Sequence, residues 1–137
     1  MEFLPRAKFR ELVFLIIFGL DHVDQEIDNL IDSLYDQVKV SKRHLKDAAK
    51  VAINILPYIS KIDAQIATLS VEYAVERVMK VELNILRLAI YELMQQEVPA
   101  VCVISEALRL ARKFSTLESS KYINAILDQY VKGQMVS

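Results

Sequence analysis

The chain has 137 residues, close to the commonest size of one domain, and 53% of them are hydrophobic. Only 2 glycines and 3 prolines occur, too few for the tight turns of a strand-rich fold. The composition therefore predicts an all-α protein that forms a single domain over residues 1–137. The formal net charge of −1 excludes binding to nucleic acid through overall positive charge alone.

The first predicted helix begins at Pro5 and ends near Gly19. Its interior, residues 12–18, is apolar on every face, so we expect a helix that others surround. This run is too short to cross a membrane, which takes about 20 residues. Acidic residues follow it rather than a cleavage site, so we expect a cytoplasmic protein. The start of the helix carries three cations and should reach solvent: Arg6, Lys8 and Arg10.

The second predicted helix runs from Asp24 to Val38 and has one apolar and one acidic face. The apolar stripe consists of Ile27, Leu30, Ile31, Leu34, Tyr35 and Val38. The opposite face places acids at intervals of four, namely Asp24, Asp28, Asp32 and Asp36. This acidic face is either an ordinary solvated surface or a contact for a basic protein.

Ser41 is the predicted N-cap of a third helix, which Pro57 kinks or ends. Its apolar stripe consists of Leu45, Ala48, Ala49, Ala52, Ile53 and Leu56. A short fourth helix continues with Ile59, Ile62, Ile66 and Leu69.

Three further helices are predicted in the second half of the chain. The fifth runs from about Lys80 to Met94, and a loop over residues 95–99 separates it from a sixth helix that ends at Phe114. Residues 115–118 have a capping-box pattern that should open the seventh helix. Arg87 and Glu106 lie within otherwise apolar helices, so we expect each to form an ion pair inside the fold.

No motif for catalysis or for a cofactor is visible. The two histidines and the single cysteine, Cys102, lack the spacing of a metal site, and two glycines cannot form a P-loop. A lone cysteine also excludes an internal disulfide, and its place between Val101 and Val103 predicts a buried structural thiol. We therefore predict a binding protein without enzymatic activity, cofactor or metal.

Three motifs in order resemble the NusB family. Residues 82–93, ELNILRLAIYEL, followed by Val98 and Pro99, are similar to its central signature. The runs ISEALRLARKF at 104–114 and SSKYINAILD at 119–128 resemble its next two motifs. Residues 6–11, RAKFRE, stand where the family has an arginine-rich motif, with Ala7 at a position that is often a further arginine.

The resemblance implies a bacterial antitermination factor built from two helical sub-bundles. Such a factor pairs with NusE, a protein of the small ribosomal subunit, and holds boxA RNA within the RNA polymerase antitermination complex. The implied RNA-binding residues are Arg6, Lys8, Arg10, Lys121, Tyr122 and Asn124. Cations would meet phosphates, and Tyr122 could stack on an unpaired base. Phe18 and Glu82 are the implied partner-binding residues.

Two alternatives keep the same fold but not the RNA function. Because Ala7 leaves the first helix less basic, the chain could be a helical protein-interaction module with weak or no RNA binding. It could also be a homodimer whose interface covers the RNA-binding face.

Overall fold

A computed structural model of the chain describes residues 4–22, 25–70 and 78–136. Over these residues the backbone forms seven α-helices, one 3₁₀ turn and no strand, so the predicted all-α class is confirmed. The helices are α1 (Arg6–His22), α2 (Ile27–Gln37), α3 (Lys42–Ile55), α4 (Ile59–Leu69), α5 (Lys80–Gln95), α6 (Ala100–Phe114) and α7 (Leu117–Val136). They belong to two units, Met1–Pro57 and Tyr58–Ser137. This division agrees with the two helical sub-bundles that the family resemblance implies. None of the described helices is long and apolar enough to span a membrane.

In the first unit, α1 is the buried helix that its apolar interior predicts. It packs on α2 and α3, and six of its side chains are buried between Glu11 and Ile17. Gly19 does not end the helix, which continues to His22. A Cβ atom at Gly19 would lie only 2.7 Å from Cδ1 of Leu30. The absence of a side chain at Gly19 therefore allows α1 and α2 to approach each other closely.

The second helix is shorter than predicted and buries a narrower stripe. It begins at Ile27, and the predicted start at Asp24 lies outside the described residues. Leu30, Ile31 and Leu34 are buried as predicted. Tyr35 was predicted on the same stripe but is 45% exposed, and its ring lies 5.2 Å from the Nζ atom of Lys42.

Ser41 caps α3 as its position predicts, because its Oγ atom accepts a hydrogen bond of 3.2 Å from the backbone N–H of His44. The predicted stripe is wrong at its end. Ile53 and Leu56 are exposed, whereas Ile55 is completely buried. At 100° per residue, Ile53 points about 100° away from the centre of the buried arc. Pro57 follows the helix within a 3₁₀ turn, Leu56–Tyr58, as expected of a residue that breaks helices.

In the second unit, α5 is the central helix and packs on α4, α6 and α7. Nine consecutive residues, 82–90, are buried. They include Arg87, whose Nε and Nη2 atoms donate to the two carboxylate oxygens of Asp63 at 2.9 and 2.7 Å. Its Nη1 atom donates to Oδ1 of Asn84 at 3.2 Å. The predicted internal ion pair of Arg87 is therefore confirmed.

The last two helices are confirmed, with two corrections of detail. Thr116, rather than Ser115, caps α7, because its Oγ1 atom accepts from the backbone N–H of Ser119 at 3.0 Å. Cys102 is exposed, so the prediction of a buried thiol is wrong. Helix α6 buries only the side that carries Val103, Ala107, Leu110 and Ala111, and Cys102 points about 120° from the centre of that side.

Candidate nucleic-acid interface

The start of α1 carries the three predicted cations on two different sides. Residues four apart share a helix face, so Arg6 and Arg10 lie on one side and Lys8 points about 160° away from them both. Arg6 is exposed, whereas Arg10 is half-buried. Of the predicted α1 set, the two arginines are therefore placed to contact one ligand together.

Lys8 has a structural contact of its own. Its Nζ atom donates to Oε2 of Glu11 at 3.1 Å, and the Glu11 side chain is almost completely buried. A buried carboxylate requires a partner because leaving it unpaired costs several kcal/mol, on the order of 3–5. Lys8 therefore stabilises the carboxylate of Glu11, and its contact with RNA stays a prediction.

The α7 residues also divide between two sides of their helix. Lys121 and Asn124 are both exposed and lie three residues apart, so their side chains point in similar directions. Tyr122 is half-buried, and its hydroxyl forms a hydrogen bond of 3.0 Å with Oγ of Ser70. This bond fixes the tip of the ring, so only the remaining exposed part of Tyr122 is accessible to a base. The α1 set belongs to the first unit and the α7 set to the second.

The two predicted partner-binding residues differ in accessibility. Phe18 is half-buried and stacks between Phe14 and His22, with ring centroids 5.9 and 5.4 Å away. Glu82 is only 7% exposed, in the first turn of α5. Its carboxylate therefore offers little surface to a partner, and the partner-binding assignments stay predictions.

A third group of cations was not among the predicted site residues. The solvent-exposed face of α3 carries Lys42, Arg43, Lys46 and Lys50, which we call the α3 basic strip. Their spacing of three and four residues is visible in the sequence, and it is the signal that would have found them. These cations lie on the side of α3 away from the apolar stripe by which this helix is predicted.

The acidic face of α2 is present in the described part of that helix. Asp28, Asp32 and Asp36 are exposed, and Asp32 accepts an ion pair of 3.2 Å from Lys42. Within the described residues no group of three His, Cys, Asp or Glu side chains is placed to hold a metal ion. The exposed acids of α2 and the exposed cations of α3 therefore lie on neighbouring helices of the first unit, joined by the ion pair of Asp32 and Lys42.

The sequence model of the NusB family matches residues 7–132. The transcription antitermination protein NusB of Pseudothermotoga lettingae is 32% identical over 131 residues, which cover 93% of this chain and 91% of that protein. The NusB structure from T. maritima superposes with a TM-score of 0.80 at 29% identity, covering 96% and 93% of the two chains. A structure of the antitermination factors NusB and NusE in complex with double-stranded RNA gives a TM-score of 0.77 at 22% identity, covering 93% and 96%.

The fold and the exposed cations define an all-helical protein of two units whose first helix presents arginines at its start. The match over residues 7–132 assigns this class to one family. The chain belongs to the NusB family, which confirms the resemblance carried by the three sequence motifs.

Proposed function

We propose that this chain is a transcription antitermination factor. Together with a NusE-type ribosomal protein, it binds boxA-type single-stranded RNA within the RNA polymerase antitermination complex and supports processive transcription of ribosomal RNA. It acts by binding, without catalysis or cofactor, in the cytoplasm, and residues 1–137 serve as one RNA- and protein-binding domain.

Family membership over nearly the whole chain is the observation that carries this proposal. Curated relatives of matching length are transcription antitermination proteins, and a similar fold occurs in a structure that contains NusE and RNA. The paired position of Arg6 and Arg10 adds physical support, because two cations on one side of a helix start can contact neighbouring phosphates. Helix N-termini also favour anions through the helix dipole.

The test is binding of the full chain to a boxA-containing RNA, with and without NusE, over a series of salt concentrations. We expect tight binding only when NusE is present, with a preference over a scrambled sequence. The R6Q/R10Q variant should weaken binding severalfold, and the slope of log affinity against log salt should fall by about 1.4 for two lost phosphate contacts. Lys8 is left unchanged in this variant because its removal would take an ion-pair partner away from the buried carboxylate of Glu11.

The matched control is R112Q/K132Q, which removes two exposed cations of the second unit and changes the net charge equally. Its binding to RNA should equal that of the unmodified protein. Binding to NusE without any preference for boxA over scrambled RNA would instead favour a protein-interaction module. A stable homodimer that binds no RNA would favour the other alternative, and sedimentation velocity would detect it.

A further inference from the structure

The α3 basic strip has more positive charge than its surroundings neutralise. Lys42 forms an ion pair with Asp32. Arg43, Lys46 and Lys50 form no ion pair with any residue that the structure describes, although all three are exposed. Asp47 is the only acid on this helix. The strip therefore leaves three cations in solvent along one helix.

This arrangement costs stability, which indicates that packing alone does not account for it. Like charges at spacings of three and four residues repel, as Lys42 and Lys46 do, and again Lys46 and Lys50. Cations in the first turn also oppose the helix dipole, and the first turn of α3 contains Lys42 and Arg43 but no acid. An anionic ligand would relieve both kinds of repulsion.

The geometry of the strip matches a polymer with evenly spaced negative charges. Lys42, Lys46 and Lys50 follow one another at about 6 Å, because each step of four residues rises 1.5 Å per residue. This is the order of the distance between successive phosphates in an extended single strand. The exposed ring of Tyr35 lies next to Lys42, at one end of the strip. A base could stack on this ring, as bases stack on aromatic side chains in proteins that bind single strands.

A membrane surface fits this face less well. Five apolar residues of α3 face the interior of the protein, namely Leu45, Ala48, Ala49, Ala52 and Ile55. Only Ile53 is an exposed large apolar residue on α3, so the helix has no apolar face to insert among lipid chains. Cations without an insertable apolar face are typical of contacts to a phosphate backbone.

We propose that the α3 basic strip binds the phosphate backbone of single-stranded RNA beside the boxA element. This inference rests on the proposed function, because that function supplies the boxA RNA beside which the strip would bind. The exposed charge of the strip does not depend on that function. The inference assigns a second RNA-binding surface, separate from the arginines of α1 and from the α7 residues. Because Asp32 of the acidic face of α2 pairs with Lys42, the bound strand extends from Lys42 towards Lys50, away from that face.

The test compares three RNA probes on the full chain in the presence of NusE. The first probe is the boxA core, and the second is the core extended by a uridine tract. The tract is long enough to cross the strip, whose length is about 12 Å. The third probe is the uridine tract alone at low salt. We expect the extension to raise affinity severalfold. The R43Q/K46Q/K50Q variant should abolish that gain, lower the salt slope for the extended RNA by about 2, and leave affinity for the core unchanged.

The matched control is K61Q/R112Q/K132Q, which makes the same change in net charge with exposed cations of the second unit. It should keep the full gain, and far-UV circular dichroism should show equal helicity for both variants, since glutamine is also a strong helix former.

A gain that survives R43Q/K46Q/K50Q, or disappears equally in the control, would overturn the proposed strip. Reduced binding to NusE in the absence of RNA would also overturn it, because the strip would then belong to an acidic protein surface. The uridine tract alone separates the two proposals. If the core fails to bind, the proposed function is wrong, whereas uridine binding that depends on the strip would still support the inference.

Discussion

Arg87 illustrates how a residue within a family motif can stabilise the fold. Its guanidinium is buried and satisfies both oxygens of Asp63, while it also donates to Oδ1 of the fully buried Asn84. The Arg87→Met substitution would leave that carboxylate and that amide oxygen without their donor. Because Asp63 is partly exposed, we expect a loss at the lower end of the range for broken buried pairs, about 3 kcal/mol. Urea unfolding measures this loss.

Arg109→Met is the control for that substitution. Glu106 forms the predicted ion pair, with Arg109 at 3.2 Å, but the pair lies within one helix and both side chains are partly exposed rather than inside the fold. Water can replace this partner, so we expect a loss of less than about 1 kcal/mol. Equal losses in the two variants would contradict a special stabilising contribution of the buried Arg87 contacts.

Two tyrosine hydroxyls should make the fold sensitive to alkali. Burial raises the pKa of Tyr130, and burial raises the pKa of Tyr91 with further contributions from Tyr58 and Glu97. An unfolded tyrosine ionises near pH 10, as an order-of-magnitude reference. Because both pKa values are higher in the folded protein, their stabilising contribution is complete below about pH 10 and is lost as the pH rises through the folded values. Chemical unfolding between pH 9 and about pH 11 should therefore show falling stability.

The Y91F/Y130F variant removes both ionisable hydroxyls and should flatten this alkaline decline. Neither hydroxyl belongs to the predicted RNA-binding set, so affinity for boxA RNA at neutral pH should be unchanged. An alkaline decline as steep as that of the unmodified protein would show that other groups cause it.

At the scale of the elements, the two glycines have opposite relations to their helices. A Cβ atom at Gly133 in α7 would meet nothing within 4 Å, whereas one at Gly19 in α1 would meet Leu30 of α2. Gly133→Ala should therefore stabilise the protein by about 0.5–1 kcal/mol, the cost of glycine in a helix. Gly19→Ala gains the same amount but overpacks a buried contact, which costs about 1–3 kcal/mol, so a net loss is expected. Thermal unfolding measures both.

A double variant tests whether Gly19 and Leu30 set the separation of α1 and α2. Leu30→Val shortens the side chain that a Cβ atom at Gly19 would meet, so the G19A/L30V double variant should be more stable than the sum of the two single changes predicts. Strict additivity would indicate that Leu30 moves aside without cost and that Gly19 does not set the helix separation.

The sequence predicts the ends of helices well where a capping residue or a proline marks them. It predicts less well which side of a helix is buried. Ser41 and Pro57 mark the start and the break of α3 because capping and the missing proline N–H act locally. Cys102 and Ile53 were misplaced because an apolar neighbourhood does not show which side of a helix is covered. That side depends on packing partners distant in the sequence, and so does the burial of Glu82.

For the candidate site, the sequence predicted which helices carry it better than it predicted the contacts of individual side chains. The family motifs predict RNA-binding residues on α1 and α7, but they do not show that Lys8 pairs with Glu11 or that Tyr122 bonds to Ser70. The α3 basic strip lies outside all the sequence runs that carry the family resemblance. What distinguishes the strip from an ordinary solvated face is that Arg43, Lys46 and Lys50 are exposed and form no ion pair with the residues that the structure describes.

For the whole molecule, the position of charge matters more than its sum. The net charge is −1, so no general field attracts RNA, and acids on α2 stand beside cations on α3 in the same unit. Binding must therefore come from local groups whose contributions are separable. Contacts of the α1 arginines and of the α3 basic strip with different phosphates should contribute independently.

This independence can be measured by combining the two sets of substitutions. In the presence of NusE, the R6Q/R10Q/R43Q/K46Q/K50Q variant should lose affinity for the extended RNA by the product of the two separate fold-changes. Its salt slope should fall by about 3.5, since each lost contact to a single strand contributes about 0.7. If the combined loss equals only the larger of the two, both surfaces compete for the same phosphates, and RNA then cannot occupy α1 and α3 at once. A product, with NusE binding unchanged, would mean that one RNA strand contacts both helices.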